Sequence, residues 1–175
     1  MKVKSSLLLI CILITGFSCE QINDLLTFNV KSSTSITIPA SSPLSLPFEM
    51  MTPEIQTGSS QDFENNNTRA DLVKDVKLEE LKMTITAPEG KTFSFLKSIQ
   101  IYISAENKDE ILLASAENIS SATNTISLAT TQEKLDEYIK ANGYRLRTKT
   151  VTRETLTRDV TIKIDMKYKV TADVL

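Results

Sequence analysis

The sequence of 175 residues contains no histidine, no tryptophan and only four glycines. Without histidine there is no Ser-His-Asp triad, no near-neutral imidazole base and no common zinc site. The three glycines beyond residue 18, Gly58, Gly90 and Gly143, lie far apart in the chain. A phosphate-binding glycine loop needs several glycines close together, so kinase, P-loop and dinucleotide-binding functions are excluded. We therefore predict neither a cofactor nor a bound metal.

Cysteine is almost as scarce, because the chain has two and both, Cys11 and Cys19, lie within the first 19 positions. The rest of the chain has no thiol and no disulfide, which excludes cysteine nucleophiles and thiolate metal sites. A domain of this size buries a sufficient core without disulfides, so their absence does not argue against a folded domain.

The first 19 residues have the three parts of an export signal. Lys2 and Lys4 precede an unbroken apolar run over residues 7–14, which is too short to span a bilayer. Small or turn-forming residues then lead to Ser18 and Cys19. This arrangement resembles the signal peptide and lipobox of bacterial lipoproteins, in the looser Bacteroidetes-type pattern that often has Ser-Cys at the junction. The resemblance implies cleavage after Ser18 and acylation of Cys19.

The lipoprotein resemblance covers residues 1–21 and implies a location rather than a fold. We expect a signal peptide over 1–18, a lipidated cysteine and short tether over 19–27, and a single domain over 28–175. Two or three acyl chains hold a protein firmly at a membrane, since each buried CH₂ contributes ~0.8 kcal/mol. The expected location is the bacterial cell envelope, on the outer membrane, with the domain in the periplasm or at the surface.

Alternation of apolar and polar residues dominates the rest of the chain, and this period of two is typical of half-buried strands. The strongest run covers residues 160–170, and further runs cover 28–50, 81–86, 99–103 and 144–150. Seven or eight strands without regular strand–helix alternation predict an all-β fold. The expected architecture is an antiparallel β-sandwich, immunoglobulin-like in general form.

Three local features refine the strand prediction. Pro47 cannot donate a ladder hydrogen bond, so its strand belongs at a sheet edge. The phase of the alternation changes at Glu79 and Glu80, which predicts a bulge, a turn or a strand start there. Residues 57–70 have almost no apolar content and indicate a long loop.

One short helix is predicted near residues 131–142. Thr130 and Glu133 have the spacing of a capping box, and Asn142 with Gly143 provides a C-terminal stop. The apolar residues between these signals recur at the spacing of one helix face.

The last two alternating runs, 144–150 and 160–170, follow each other closely and predict a long β-hairpin. Residues 145–169 hold eight bases and three acids, whereas residues 20–144 hold ten bases and eighteen acids. The hairpin is therefore a candidate surface for an anionic partner such as a lipid headgroup, a lipopolysaccharide phosphate or an acidic glycan. The alternative is that its bases pair with acidic strands beside it. The candidate binding residues are Arg145, Arg147, Lys149, Arg153, Lys163, Lys167 and Lys169.

The whole chain beyond residue 18 carries 18 bases and 22 acids, a net charge of −4 that argues against nucleic-acid binding. The leading hypothesis is a lipid-anchored, non-enzymatic envelope protein that acts as a binding, adhesion or assembly module. Its expected partners are the membrane, through the lipid, and either an anionic envelope component or a protein.

Two alternative functions stay open at this point. One is a glycan-acting envelope hydrolase that uses a carboxylate pair. Glu79 with Glu80, and Asp109 with Glu110, supply carboxylates, although neighbours on a strand point to opposite faces. The other alternative is a carrier that holds a small apolar ligand between its two sheets.

Overall fold

The computed structural model describes residues 26–173. The predicted signal peptide (1–18), Cys19 and nearly all of the predicted tether lie outside that part. The described chain folds into strands joined by short connections, with two short α-helices, α1 (Ser59–Asn65) and α2 (Asp136–Ile139), and one 3₁₀ helix (Phe93–Phe95). The strands are β1 (Thr27–Ile38), β2 (Phe48–Met51), β3 (Ile55–Gln56), β4 (Val73–Ala87), β5 (Leu96–Ala105), β6 (Ile111–Ala116), β7 (Thr125–Ser127), β8 (Ala129–Thr130), β9 (Gly143–Thr152) and β10 (Val160–Ala172).

The strands form two antiparallel sheets that pack face to face. Sheet A has four strands in the order β1-β10-β4-β7. Sheet B has six strands, with the order β2-β9-β5-β6-β8 and with β3 also paired to β9. The prediction of an all-β, antiparallel β-sandwich is confirmed.

The core lies between the sheets. Side chains along the longer strands alternate between more and less buried positions, with the same period of two that apolar and polar residues show in the sequence. In β10, residues alternate between buried apolar side chains and exposed or half-buried polar ones. The central strands β5 and β4 contribute side chains that are fully buried, and each such side chain stabilises the fold by about 1.5–3 kcal/mol. The inward-facing residues of these strands include Ile99, Ile101, Ile103, Leu81 and Met83.

Two of the local predictions are also confirmed. Pro47 directly precedes β2, which is an edge strand of sheet B. In β4, Leu78 lies opposite Tyr168 and Glu80 lies opposite Lys167, so Glu79 is the extra residue of a β-bulge. Because of this bulge both glutamates are exposed, whereas neighbours on a regular strand point to opposite faces.

The predicted helix near 131–142 is much shorter than expected, since α2 has four residues. Thr130 ends β8, and the backbone N–H of Thr131 donates to the Leu113 carbonyl at 3.0 Å. The Leu135 N–H in turn donates to the Val76 carbonyl at 2.8 Å. These bonds to β6 and β4 hold the segment outside the helical conformation, so the capping box does not form.

The predicted loop at 57–70 contains α1, which the sequence pattern does not indicate. Gly58 precedes the helix with a φ of 55°, a conformation that glycine adopts without strain. Phe63 is its one large apolar residue, and it is buried against Phe28 in an edge-to-face contact of 6.2 Å between ring centroids. This tertiary contact, rather than helical periodicity, stabilises α1.

The predicted C-terminal hairpin does not exist. Strand β9 pairs with β5, β2 and β3 in sheet B, while β10 pairs with β1 and β4 in sheet A. The connection over 153–159 therefore crosses from one sheet to the other. Each of the two strands has one apolar face. Both apolar faces are buried if the strands lie in opposite sheets around one core, and both are also buried if the strands pair side by side in one sheet. The sequence pattern does not distinguish these two arrangements.

A chain of hydroxyl groups crosses the interior between the sheets. The Tyr144 phenol donates to the Ser32 hydroxyl at 2.8 Å and accepts from the Tyr168 phenol at 3.3 Å. The Tyr168 phenol also lies 3.2 Å from the Met166 sulfur. Burial raises the pKa of both phenols, so they stay protonated and act as donors.

Candidate functional site

The split of the predicted hairpin divides the seven candidate bases between two opposite surfaces. Arg145, Arg147 and Lys149 lie on the outer face of sheet B, and Arg153 follows at the end of β9. Lys163, Lys167 and Lys169 lie on the outer face of sheet A. The structure therefore does not bring the predicted set together.

Two of the four bases of the sheet B group, Arg145 and Arg147, are paired with acids. The Arg145 guanidinium lies 3.6 Å from the Glu54 carboxylate. The Arg153 guanidinium donates to the Ile119 carbonyl, which ties β9 to the loop after β6. Lys149 forms no ion pair with any residue in the described range. These contacts are those of structural residues rather than of an open anion site.

Arg147 has the most contacts of the group. Its guanidinium donates to Glu110 at 2.9 and 2.5 Å and to Glu49 at 2.6 Å, and it stacks 4.3 Å from the centre of the Tyr102 ring. The Glu110 carboxylate raises the pKa of Arg147 further above its ordinary value. Arg147 thus joins β2, β9, β5 and the start of β6, and its charge is already balanced.

The sheet A group lies among lysines that the hairpin prediction did not include. Because β1 and β4 flank β10, the outer face of sheet A also presents Lys31 from β1 and two lysines from β4. Finding these three lysines from the sequence would require knowing which strands pair and in which register, and the sequence pattern does not show the pairing of distant strands. We call this surface the lysine face: Lys31, Lys77, Lys82, Lys163, Lys167 and Lys169.

Two pairs of lysines lie directly opposite each other across neighbouring strands. Lys31 in β1 is opposite Lys167 in β10, and Lys169 in β10 is opposite Lys77 in β4. Such residues have Cβ atoms about 4.5–5.5 Å apart, and like charges at this separation destabilise a sheet. A sheet that retains two such pairs on one face concentrates positive charge there.

Part of this charge is compensated by acids on the same face. The ammonium of Lys167 lies 2.6 Å from Glu79, that of Lys163 lies 2.7 Å from Asp165, and Lys77 is 3.8 Å from Asp75. The hydrogen bond from Lys167 lowers the pKa of Glu79, and the one from Lys163 lowers the pKa of Asp165. Both acids are therefore ionised at neutral pH.

Three lysines of this face form no ion pair within residues 26–173, and all three are exposed: Lys31, Lys82 and Lys169. They belong to three adjacent strands. From the strand spacing and rise, the backbone of Lys31 lies roughly 8 Å from that of Lys169 and roughly 12 Å from that of Lys82. This spacing suits several anionic groups on one ligand better than a single small anion.

A shallow hollow of about 570 Å³ lies on the lysine face. Apart from Met166, its lining residues are polar or charged, and none has an aromatic side chain on which a sugar ring would stack. Recognition here therefore depends on charge and hydrogen bonding. The lining residues are Lys31, Ser32, Ser33, Glu80, Lys82, Asp165, Met166 and Lys167.

One acid of each carboxylate pair named for the hydrolase alternative is engaged by a base. Glu79 is paired with Lys167, and Glu110 is paired with Arg147. A second hollow, of about 310 Å³, is lined by Glu54 and Glu106, but Glu54 faces Arg145. A glycosidase acid needs a raised pKa, whereas the shifted carboxyl pKa values in the described chain, such as that of Glu79, are lowered.

Neither hollow lies between the sheets, where the carrier alternative would place its ligand, since both open on outer surfaces. Within residues 26–173 no cluster of acids forms a metal site. The helices of that same part are too short to cross a membrane.

The fold defines the chain as an antiparallel β-sandwich. No family model matches the sequence, and no curated protein is significantly similar to it. Among solved structures, that of Desmodium yellow mottle tymovirus matches with 11% identity and a TM-score of 0.30, covering 85% of this chain and 84% of the other. The structure of tomato aspermy virus matches with 12% identity and a TM-score of 0.32, covering 79% and 76%. Likenesses this weak have no bearing on function.

Proposed function

We propose that this protein is a lipid-anchored, non-enzymatic binding module of the bacterial cell envelope, and that its lysine face binds an anionic envelope component. The observation that carries the proposal is the set of three exposed lysines without an ion pair on three adjacent strands, two of which, Lys31 and Lys169, also lie directly opposite another lysine. The ligand class is a polymer or surface with repeated phosphate or carboxylate groups, because the spacing of the three lysines suits several anionic groups better than one.

The binding face predicted here differs from the one that the sequence indicated. Arg145 and Arg147 are paired with acids, so they contribute little free charge, and Arg153 is held by the Ile119 carbonyl. Lys163 and Lys167 belong to the face but are paired with acids. The unpaired lysines are therefore the ones whose removal is expected to matter most.

Neutralising the three unpaired lysines is expected to abolish most of the anion binding. The test uses the unlipidated form, which is residues 19–175 with Cys19→Ala, and adds Lys31→Gln, Lys82→Gln and Lys169→Gln. Each lysine near an anionic surface contributes roughly 1 kcal/mol, so affinity is expected to fall at least about tenfold at low salt. Binding is measured by co-sedimentation with phosphatidylglycerol vesicles and by titration with polygalacturonate, a soluble acidic glycan.

A matched control removes the same charge elsewhere. Lys97, Lys149 and Arg158 are also exposed and form no ion pair within the described chain; Lys97 and Lys149 lie in sheet B, and Arg158 lies in the connection between β9 and β10. Their triple replacement by glutamine is expected to change affinity less than about threefold, as a diffuse charge effect. Equal losses in the two triple variants, or no binding by the unmodified unlipidated form to either probe, would contradict the proposal. Binding to the vesicles would identify a lipid as the source of the anionic groups, and binding to polygalacturonate would identify a glycan.

The lipid anchor has its own test, since it rests on the signal sequence alone. A clickable palmitate analogue supplied to growing cells is expected to label the full chain, and Cys19→Ala is expected to remove that label. Cys11→Ala is the matched control, because this cysteine lies within the predicted signal peptide, and it is expected to leave labelling unchanged. Label retained by the Cys19 variant would show that the cysteine is not the acylated residue.

A further inference from the structure

Strand β1 is the outermost strand on one side of sheet A in the described chain. It pairs with β10 along its whole length, and sheet A ends there. No backbone hydrogen bond outside that ladder involves residues 28–38. In an antiparallel edge strand every second residue directs both its N–H and its C=O away from the sheet. A row of backbone donors and acceptors is therefore available to another strand.

This edge lacks the features that usually prevent strand pairing. Natural edge strands are commonly short, bulged, or protected by proline and several charges. Strand β1 has 12 residues, its register with β10 has no bulge, and it contains no proline. Lys31 is its single charged residue.

The sequence of β1 is nearly palindromic about Ser33. If two copies pair antiparallel with Ser33 opposite Ser33, the buried residues Val30 and Ile36 lie opposite each other. Phe28 then meets Ile38, Ser32 meets Thr34, and Asn29 meets Thr37. Apolar positions meet apolar positions on the core side, and polar positions meet polar ones outside.

The position of Lys31 also selects this register. With Ser33 at the centre, Lys31 lies opposite Ser35, so the single charge does not meet a like charge. Centring the pair on Lys31 would oppose two lysines, which destabilises a sheet. A shift by one residue would place core-facing side chains opposite solvent-facing ones. Centring on Ser32 would place the buried Val30 opposite the polar Thr34.

An independent observation points to the same side of the molecule. Two large apolar side chains that are exposed in the described chain, Leu44 and Leu46, lie in the segment between β1 and β2, at 49% and 62% exposure. This segment leaves the end of β1, and strands β1 and β2 contact each other. A second copy that extends past the end of the β1 edge would cover part of this apolar surface.

We propose that two copies of this chain pair through the β1 edge, with a two-fold axis at Ser33, to form one continuous eight-stranded sheet. The two lysine faces then lie on the same side of that sheet. Their Lys31 residues are separated by roughly 14 Å, from the strand rise and spacing. The proposal does not depend on what the lysine face binds.

A single introduced cysteine tests the register. The unlipidated form has no natural cysteine, so Ser33→Cys carries the only thiol. Residues that oppose each other across an antiparallel pair have Cα atoms about 4.5–5.5 Å apart, within the range of a disulfide. Ser33→Cys is therefore expected to give a covalent dimer under an added mild oxidant. Ser35→Cys, which is equally exposed on the same strand, places its two thiols roughly 14 Å apart and is expected to give at most a tenth as much.

Sedimentation equilibrium provides a second measurement that needs no cross-link. The unlipidated form is expected to show a concentration-dependent monomer–dimer equilibrium. Ser33→Lys brings two lysines directly opposite each other and is expected to weaken association by about tenfold or more. Thr37→Lys adds the same charge opposite Asn29 and is expected to change it by less than about threefold.

Three outcomes would overturn the proposal. One is a monomer at every concentration measured, as expected if a segment of the same chain covers the edge. Another is equal cross-linking of the two cysteine variants, which indicates random collision. The third is a dimer that persists in the Ser33→Lys variant, when the thermal unfolding and circular dichroism of that variant match those of the parent protein. This result would place the dimer interface elsewhere.

Discussion

Replacing Leu81 by alanine is expected to lower the free energy of unfolding by about 2–5 kcal/mol. Leu81 lies in β4, at the centre of sheet A, and its side chain is fully buried. The substitution removes three carbon atoms from a close-packed core and leaves a cavity that the surrounding strands do not fill. Urea denaturation followed by circular dichroism measures the change.

The same substitution at Leu46 is the matched control. Its side chain is 62% exposed, although it belongs to an alternating apolar run that predicts a half-buried strand. Leu46→Ala is expected to change stability by less than about 0.5 kcal/mol, as is usual at the surface. Comparable losses at the two positions would show that Leu46 is buried, by this chain or by a second copy. Repeating the measurement with Ser33→Lys present distinguishes these two cases.

Replacing Tyr144 by phenylalanine is expected to lower the free energy of unfolding by about 1–3 kcal/mol. The variant keeps the ring and removes the hydroxyl that bonds to Ser32 and Tyr168. The Tyr168 phenol is fully buried, so without Tyr144 it retains only its contact with the Met166 sulfur. A buried donor without a good acceptor loses its hydration without compensation.

Tyr102→Phe is the corresponding control, because its phenol donates to Gln100 at 3.1 Å on the outer face of sheet B. Water replaces that bond, and the ring remains stacked on Arg147. The expected loss is below about 1 kcal/mol. If both tyrosine variants unfold at the same urea concentration, the interior hydroxyl chain makes no special contribution to stability.

The proposed binding face and the proposed dimer concern the same sheet but have separate tests. Lysine neutralisation changes ligand binding, whereas Ser33→Lys changes self-association. A dimer would present six unpaired lysines on one side, and a ligand long enough to reach both copies would then bind with greater avidity. Loss of the dimer with retained monomer binding would leave the proposed function intact.

Local patterns in the sequence predicted the features that depend on neighbouring residues. The alternation in residues 160–170 identified the inward-facing side chains of β10, because side chains on a strand alternate between two faces. The phase change at Glu79 and Glu80 predicted a bulge, a turn or a strand start, of which the structure has the bulge, and Pro47 predicted an edge strand. The fold class followed from these local signals.

Features that depend on contacts between distant residues were predicted less well. Helix α1 forms because Phe63 finds a place beside Phe28, and a seven-residue helix has little stability without such a contact. The helix predicted near 131–142 is reduced to four residues because backbone bonds to β6 and β4 compete with it. In both cases tertiary contacts outweigh local preference.

The sequence alone therefore determined that the chain is an all-β domain with one apolar face on each strand, since that pattern is local and has a period of two. Only the tertiary structure decided which strands are neighbours. Strands β9 and β10 show the same alternation, yet they lie in opposite sheets, so their bases lie on opposite surfaces. The lysine face exists because β10 lies between β1 and β4, and hydrogen bonding between strands far apart in the chain leaves no mark in the local pattern of either one.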